Sequence, residues 1–427
     1  MLSPHVPLGD AASAPALDVA REPAARQADR LDVLDVLRGI ALFGMFLVHF
    51  NNYSSDGTGV AGVYQQSVRL LFEERFWAIF GMLFGVGFAI QFRRADARGE
   101  RFVRKYLRRL FALAAFGFIA HAVFGFNVLL GYAIWGVPLL LVRRWSIPTL
   151  VAAAVLSAAS GNLYQIAQTT YGVATIDEPA FRVEEQALAA RNRSFNDANR
   201  EAQDAPTYST VFAARLRHMG WFYVQWFTFL PVNTFTLFLL GVLGLRLGLF
   251  DRPEEHRRLI AALMLLGVAS WATSHWLLPA PPAQLGTPLV PNLVVARLKS
   301  GFGLVREMWL AFTYVGLVLL LVARNPAWLR RLAAFGWTGR MALTNYMIQI
   351  AILDLAFARY ALGLSVTPLV GLVAALALFL ADAAFSRWWL ERFRYGPLEW
   401  LWRSVTLARW QPWRATASAN RAAVATG

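Results

Sequence analysis

The 427-residue chain has no cysteine, which excludes a disulfide framework, a thiolate nucleophile and any cysteine-ligated metal. Charge is sparse too. Only 16% of residues are Asp, Glu, Lys or Arg, against about a quarter in ordinary soluble domains. Acidic groups are the scarcer kind, 26 against 41 Lys and Arg, for a net charge of +15. The first thirty residues, rich in Ala and Pro, contain no apolar core of signal-peptide length. Segment 1–30 therefore reads as a disordered cytoplasmic tail, and the first apolar run as a retained helix.

What fills the chain is hydrophobic surface, 57% of all residues. Apolar runs of about 15 to 20 residues recur between short clusters of Arg, Pro and Asp, the pattern of an all-α, polytopic integral membrane helical bundle. Ten transmembrane helices are predicted, at 33–50, 73–92, 107–126, 128–143, 147–168, 219–246, 258–278, 302–323, 341–359 and 366–386. Pro231 and Asn233 should break or kink the sixth. The connections "RRADARGERFVRKYLRR", "VRRW", "RLGLFDRPEEHRR" and "ARNPAWLRR" carry excess Arg or Lys. With ten spans they share one side, so both termini should be cytoplasmic. Their charge orients the chain in the bilayer, and nucleic acid is not an expected partner.

The opposite side should hold an exported polar loop at 169–218 with amphipathic or surface helices, and a proline-rich extended loop, "LPAPPAQLGTPLVPNL". Residues 31–386 make up the bundle. Trp388, Trp389, Phe393, Trp400 and Trp402 alternate with arginines, which suits an interfacial amphipathic segment over 387–410. A second disordered tail should follow, over 411–427.

Arg38 and His49 stand eleven positions apart in "LRGIALFGMFLVHF". That spacing is three full turns plus about 20°, so both project from one helix face, separated by roughly 16 Å along the axis. Asp35 lies one turn earlier as a possible ion-pair partner for Arg38. An arginine offers a fixed fork of donors to phosphate or carboxylate, while an imidazole exchanges a proton near neutrality. Together they fit an acyl donor bound from the cytoplasmic side. The plainer alternatives are a positive-inside arginine and a histidine bonded to a neighbouring helix.

"LDVLRGIALFGMFLVHF" resembles the first helix of the membrane acyltransferase-3 superfamily, whose hallmark is an arginine, ten intervening residues and a histidine. "FWAIFGMLFGVGFAIQFRR", "GRMALTNYMIQ" and "WWLERFRYGPLEWLWRSVT" are similar to the YeiB family of bacterial membrane proteins (domain of unknown function 418), over about residues 30 to 407. The resemblance implies the bacterial cytoplasmic (inner) membrane and, from the wider superfamily, acyl transfer. Two positions depart from the YeiB pattern. His49 replaces a usual Asn, and Asn127 in "GFNVLL" replaces a usual Asp, which removes a carboxylate that would orient a catalytic histidine.

On this reading His49 is a general base, and His121, which matches a histidine common in the family, either shares that role or bonds a backbone carbonyl. Arg38 and Arg340 would bind the donor, and Asn127, Asn345 and Gln349 the substrate, although paired amides also stitch helices together. The donor would be acetyl-CoA or another acyl-CoA, with no tightly bound cofactor and no metal. The acceptor would be a glycan, lipid or small molecule. The opposing reading is a transporter or flippase for a small or lipid-linked solute, with the same polar residues lining its route. Asp354 and Asp382 should each find a partner, Arg387 or a loop arginine being available to the second. The glycines of "FGMLFGVGF" should serve close helix packing.

Overall fold

A computed structural model describes residues 18–126, 128–229, 231–273, 276, 285–304 and 306–414. The N-terminal half runs through α1 (Asp18–Tyr53), α2 (Gly59–Leu71), α3 (Arg75–Asp96), α4 (Phe102–Phe124), α5 (Val128–Gly136), α6 (Leu139–Val142) and α7 (Ile147–Ile176). Next come α8 (Glu178–Gln203), α9 (Tyr208–Phe229), α10 (Pro231–Arg246), α11 (Arg257–Ala272) and α12 (Leu289–Leu304). The chain closes with α13 (Arg306–Arg324), α14 (Ala327–Arg331), α15 (Ala333–Arg340), α16 (Ala342–Phe357), α17 (Pro368–Leu390) and α18 (Pro397–Leu407). Among the described residues there is no strand, only an isolated bridge between Phe393 and Arg414.

Each of the ten predicted segments is helical over most of its described length. Five are long and apolar enough to cross a membrane: Val33–Tyr53, Gly59–Asp96, Phe102–Phe124, Ile147–Ile176 and Pro368–Leu390. Thr234–Arg246, Trp309–Arg324 and Ala342–Phe357 are apolar but shorter. Leu141, Leu156, Leu265, Val373 and Leu380 point outward from the helices, which in water would be an aggregation surface and in a bilayer is the lipid-facing one. The fold is that of a multi-pass membrane protein.

Two expectations are corrected in detail, over 128–143 and in the proline-rich loop. The segment 128–143 is two helices rather than one, because Pro138 in the turn between α5 and α6 supplies no N–H. The polar segment 169–218, where surface helices are expected, is almost wholly helical, with α7 running on to Ile176 and α9 starting at Tyr208. The second half of the proline-rich loop is α12, whose Pro291 falls in the first turn, where no backbone donor is needed. The predicted break at Pro231 coincides with the first residue of α10, and the preceding Leu230 lies outside the described residues.

Close backbone approach sets the core geometry. The core helix α1 packs along α15 and α17, and α3 along α10. At the first crossing a methyl group on Gly339 would sit 1.8 Å from the Asp35 carbonyl oxygen, and one on Gly39 1.9 Å from that of Phe335. At the second, Gly85 and Gly241 bring the backbones together in the same way, each 2.0 Å from a facing carbonyl oxygen by the same measure. Only glycine permits such contacts, which fix where α1 presents its polar residues.

Candidate active site

The beginning of α1 carries an acidic and a basic group on one face, and they meet: the Arg38 guanidinium donates to the Asp35 carboxylate. Arg340, at the end of α15, acts on the same carboxylate. Arg38 also feels Arg109 of α4, which in turn neighbours Arg403 of α18. The Arg109 guanidinium lies 3.8 Å above the Trp402 ring, and Trp402 Nε1 donates to the Arg109 carbonyl at 2.9 Å. Two guanidiniums, Arg38 and Arg340, thus act on the Asp35 carboxylate, and Arg109 links Arg38 electrostatically to Arg403. With 32% of its side chain exposed, Arg38 is reachable from outside the bundle, and the cluster has the charge and the planar donor forks to hold phosphate.

His49 lies three turns further along the same face. Its Nδ1 is 3.4 Å from Nε2 of Gln349 on α16, and its ring is 5.0 Å from Phe126. Arg340 precedes α16 and Gln349 lies within it, so both polar residues of α1 face the α15–α16 segment. Gln349 is fully buried and its Oε1 has no hydrogen-bond partner among the described residues. Turned end for end, the amide would accept from Nδ1–H and leave Nε2 of His49 with a free lone pair, the tautomer a base requires.

His121 stands near the C-terminus of α4, at the same end of the bundle as His49. No hydrogen bond or ring contact joins the two among the described residues. Its ring is 5.8 Å from His218 and 5.9 Å from Tyr223, and its buried Nδ1 has no hydrogen-bond partner among the described residues. The helix ends there because Gly125 takes the left-handed conformation, φ 82°, so that Gly125 and Phe126 donate back to the carbonyls of His121 and Ala120. Asn127, two residues on, lies outside the described residues.

Arg215 of α9 completes this cap. It donates to the Val123 carbonyl and is paired with Asp354 of α16, the two side chains being 7% and 6% exposed. Tyr360 donates to the same carboxylate. Burial and that hydrogen bond push the Tyr360 phenol up to about 12. The partner expected for Asp354 exists, although it comes from 139 residues away. The expectation for Asp382 fails: Arg387 turns to Glu391 at 3.2 Å, and Oδ2 of Asp382 is buried with no hydrogen-bond partner among the described residues. The pairing is lost because Glu391, one turn beyond Arg387 and exposed, competes without any desolvation.

Asn345 serves as a helix connector, its amide donating to the Thr338 carbonyl at 3.1 Å and to Ser386 Oγ at 2.8 Å. One functional neighbour had no local signal. Glu399 of α18 reaches the start of α16 and accepts from Leu343 N, Thr344 N and Thr344 Oγ1 at 2.7, 3.0 and 2.6 Å. It is an N-cap supplied by another helix. Burial moves its carboxyl above the ordinary range, and the donors partly oppose that shift. Gly396 is required beside it, since a Cβ there would fall 2.1 Å from the carboxylate. The distinctive "GPLE" and "GRMALTN" blocks are thus two halves of one contact.

Among the described residues, His, Asp and Glu nowhere gather in a group of three that could hold a metal ion. Comparison with known proteins divides the chain in two. Residues 30–181 match the family described as heparan-alpha-glucosaminide N-acetyltransferase, catalytic, and residues 245–409 match protein of unknown function DUF418. Uncharacterized protein YxaH of Bacillus subtilis is 27% identical over 408 residues, covering 90% of this chain and 96% of its own. An uncharacterized 39.9 kDa protein from the amylase 3′ region of Bacillus acidopullulyticus is 30% identical over 392 residues, 89% of this chain and 95% of its own. Uncharacterized protein YeiB of Escherichia coli is 38% identical over 104 residues, 24% of this chain and 27% of its own. No solved structure matches.

Proposed function

Because the chain belongs to the DUF418 family, to which YeiB is related, and carries an acetyltransferase-like domain over residues 30–181, we propose that it is an acyltransferase of the bacterial cytoplasmic membrane. It takes an acyl group, acetyl in the first instance, from a cytoplasmic acyl-CoA and passes it to a hydroxyl or amine reached from the membrane or the exported side. Ten spans with both termini in the cytoplasm set the arginine-rich end of the bundle on the donor's side.

One observation carries the reading. Within the acetyltransferase-like region Arg38, a member of the phosphate-compatible arginine cluster, and the His49 imidazole share one face of α1, separated by roughly 16 Å. That is the order of an extended phosphopantetheine arm. Arg38, Arg109, Arg340 and Arg403 hold the nucleotide phosphates, and the thioester reaches His49. Nε2 of His49 takes the proton from the acceptor as its oxygen or nitrogen attacks the thioester carbonyl. The C–S bond breaks, and the CoA thiolate leaves and collects that proton. Gln349 holds the ring in the tautomer that can do this. His121 and Asn127 serve the acceptor in this scheme, and Asn345 contributes by holding α16 in place.

The test is transfer of labelled acetyl from acetyl-CoA, by purified protein in nanodiscs, to membrane lipid, glycan and small-amine fractions. His49→Ala should bind acetyl-CoA as wild type does and transfer at least a hundredfold more slowly, within the range lost with a general base. Full transfer by that variant, or no donor binding by wild type, refutes the assignment.

A further inference from the structure

At the arginine-rich end a second feature lies apart from the residues just assigned. A cavity of about 380 Å³ opens between the end of α3, the α6–α7 turn and the end of α10. Its floor is apolar, formed by the buried side chains of Phe88, Val242 and Leu245. Its rim is cationic, formed by Arg93, Arg143 and Arg246.

The charges at this rim do not cancel. Arg93 is neutralised by Asp251 at 2.6 Å, and Asp96, the acidic residue of the lining, is engaged by Arg144 at 3.3 Å. Arg143 and Arg246 donate only to backbone carbonyls, Arg143 to Leu140 and Arg246 to Trp145 and Arg143. Neither has a carboxylate partner among the described residues. Both are half-buried, so two guanidiniums with donors to spare are held by main-chain oxygens at the mouth of an apolar hollow. A soluble dianion has no use for the apolar floor, and a neutral lipid none for the arginines. A phosphodiester headgroup on an acyl-bearing glycerol uses both, and the space admits the headgroup while the acyl chains remain in the bilayer.

We propose that this cavity is a binding site for an anionic phospholipid, its phosphate held by Arg143 and Arg246. The site is independent of the transfer reaction, and its occupant tethers the ends of α3 and α10 to the arginine-rich turn.

Native mass spectrometry of the full-length protein in mild detergent tests this, with phosphatidylglycerol and phosphatidylcholine titrated in parallel. Wild type should retain phosphatidylglycerol at least tenfold more tightly. Arg143→Gln/Arg246→Gln should bring it to the phosphatidylcholine level, as expected if each arginine contributes about fivefold. Since Arg246 also ties the backbone at 143 and 145, Ala97→Trp gives a second reading. Ala97 is an exposed residue of the lining, and an indole there occupies the space while leaving every arginine in place. It should abolish the preference on its own, even where the double variant fails to fold. Equal retention of the two lipids by wild type overturns the proposal. So does an undiminished preference in Ala97→Trp, or displacement of the lipid by inorganic phosphate at equal concentration.

Discussion

Asp354→Asn is expected to be among the most damaging single-atom changes available in this protein. Asp354 and Arg215 are 6% and 7% exposed, so each charge depends on the other rather than on solvent. Asparagine keeps the shape of the carboxylate but removes its charge, leaving the buried guanidinium with neutral acceptors such as the Val123 carbonyl. Stranding one member of a buried pair costs about 3–5 kcal/mol. Tyr360→Phe removes one hydrogen bond to the carboxylate and should cost about 1.5–3 kcal/mol. Replacing the pair together, as Arg215→Met/Asp354→Leu, removes both desolvation penalties and should be much milder than the two single changes added. Asp197→Asn provides the control, because its pair with Arg200 is 71% and 82% exposed and such pairs contribute nothing measurable in many cases. Reversible unfolding in mixed micelles, read by tryptophan fluorescence across these proteins together with the singles Arg215→Met and Asp354→Leu, closes the double-mutant cycle. If Asp354→Asn stays within about 1 kcal/mol of wild type, or the double variant is as unstable as the sum of its singles, the pair is not the buried lock described here.

Three further outcomes follow from the same geometry. Gly339→Ala should lower stability by about 1–3 kcal/mol or prevent assembly, because its methyl would overlap the Asp35 carbonyl oxygen; Gly87→Ala, whose nearest neighbour is 4.0 Å away, should be harmless in the same thermal assay. Gln349→Leu should reduce kcat for acetyl transfer by about tenfold to a hundredfold with KM for acetyl-CoA unchanged, and a raised KM with unchanged kcat would show that Gln349 does not orient His49. Burial raises the Glu399 carboxyl above its unfolded value, so folding favours its protonated form. The stability it contributes is complete at low pH and declines as pH rises through the folded value. Thermal midpoints measured between pH 4 and pH 8 should therefore fall more for wild type than for Glu399→Gln, and parallel curves would refute the assignment.

Periodicity and composition determined what can be decided within a helix or against a bilayer. The apolar runs specify their helices because backbone donors have no other partner in lipid. The eleven-residue spacing puts Arg38 and His49 on one face whatever surrounds them, and the three-residue spacing brings Asp35 to Arg38. Tertiary structure decided everything that depends on which helix comes next. Gln349 meets His49 across 300 positions, Arg215 meets Asp354 across 139, and Glu399 caps a helix that begins more than fifty residues before it. No local pattern predicts these, because a buried polar group takes whichever partner packing brings within hydrogen-bond reach. Asp382 marks the boundary: sequence proximity offered it Arg387, and packing gave that arginine to Glu391.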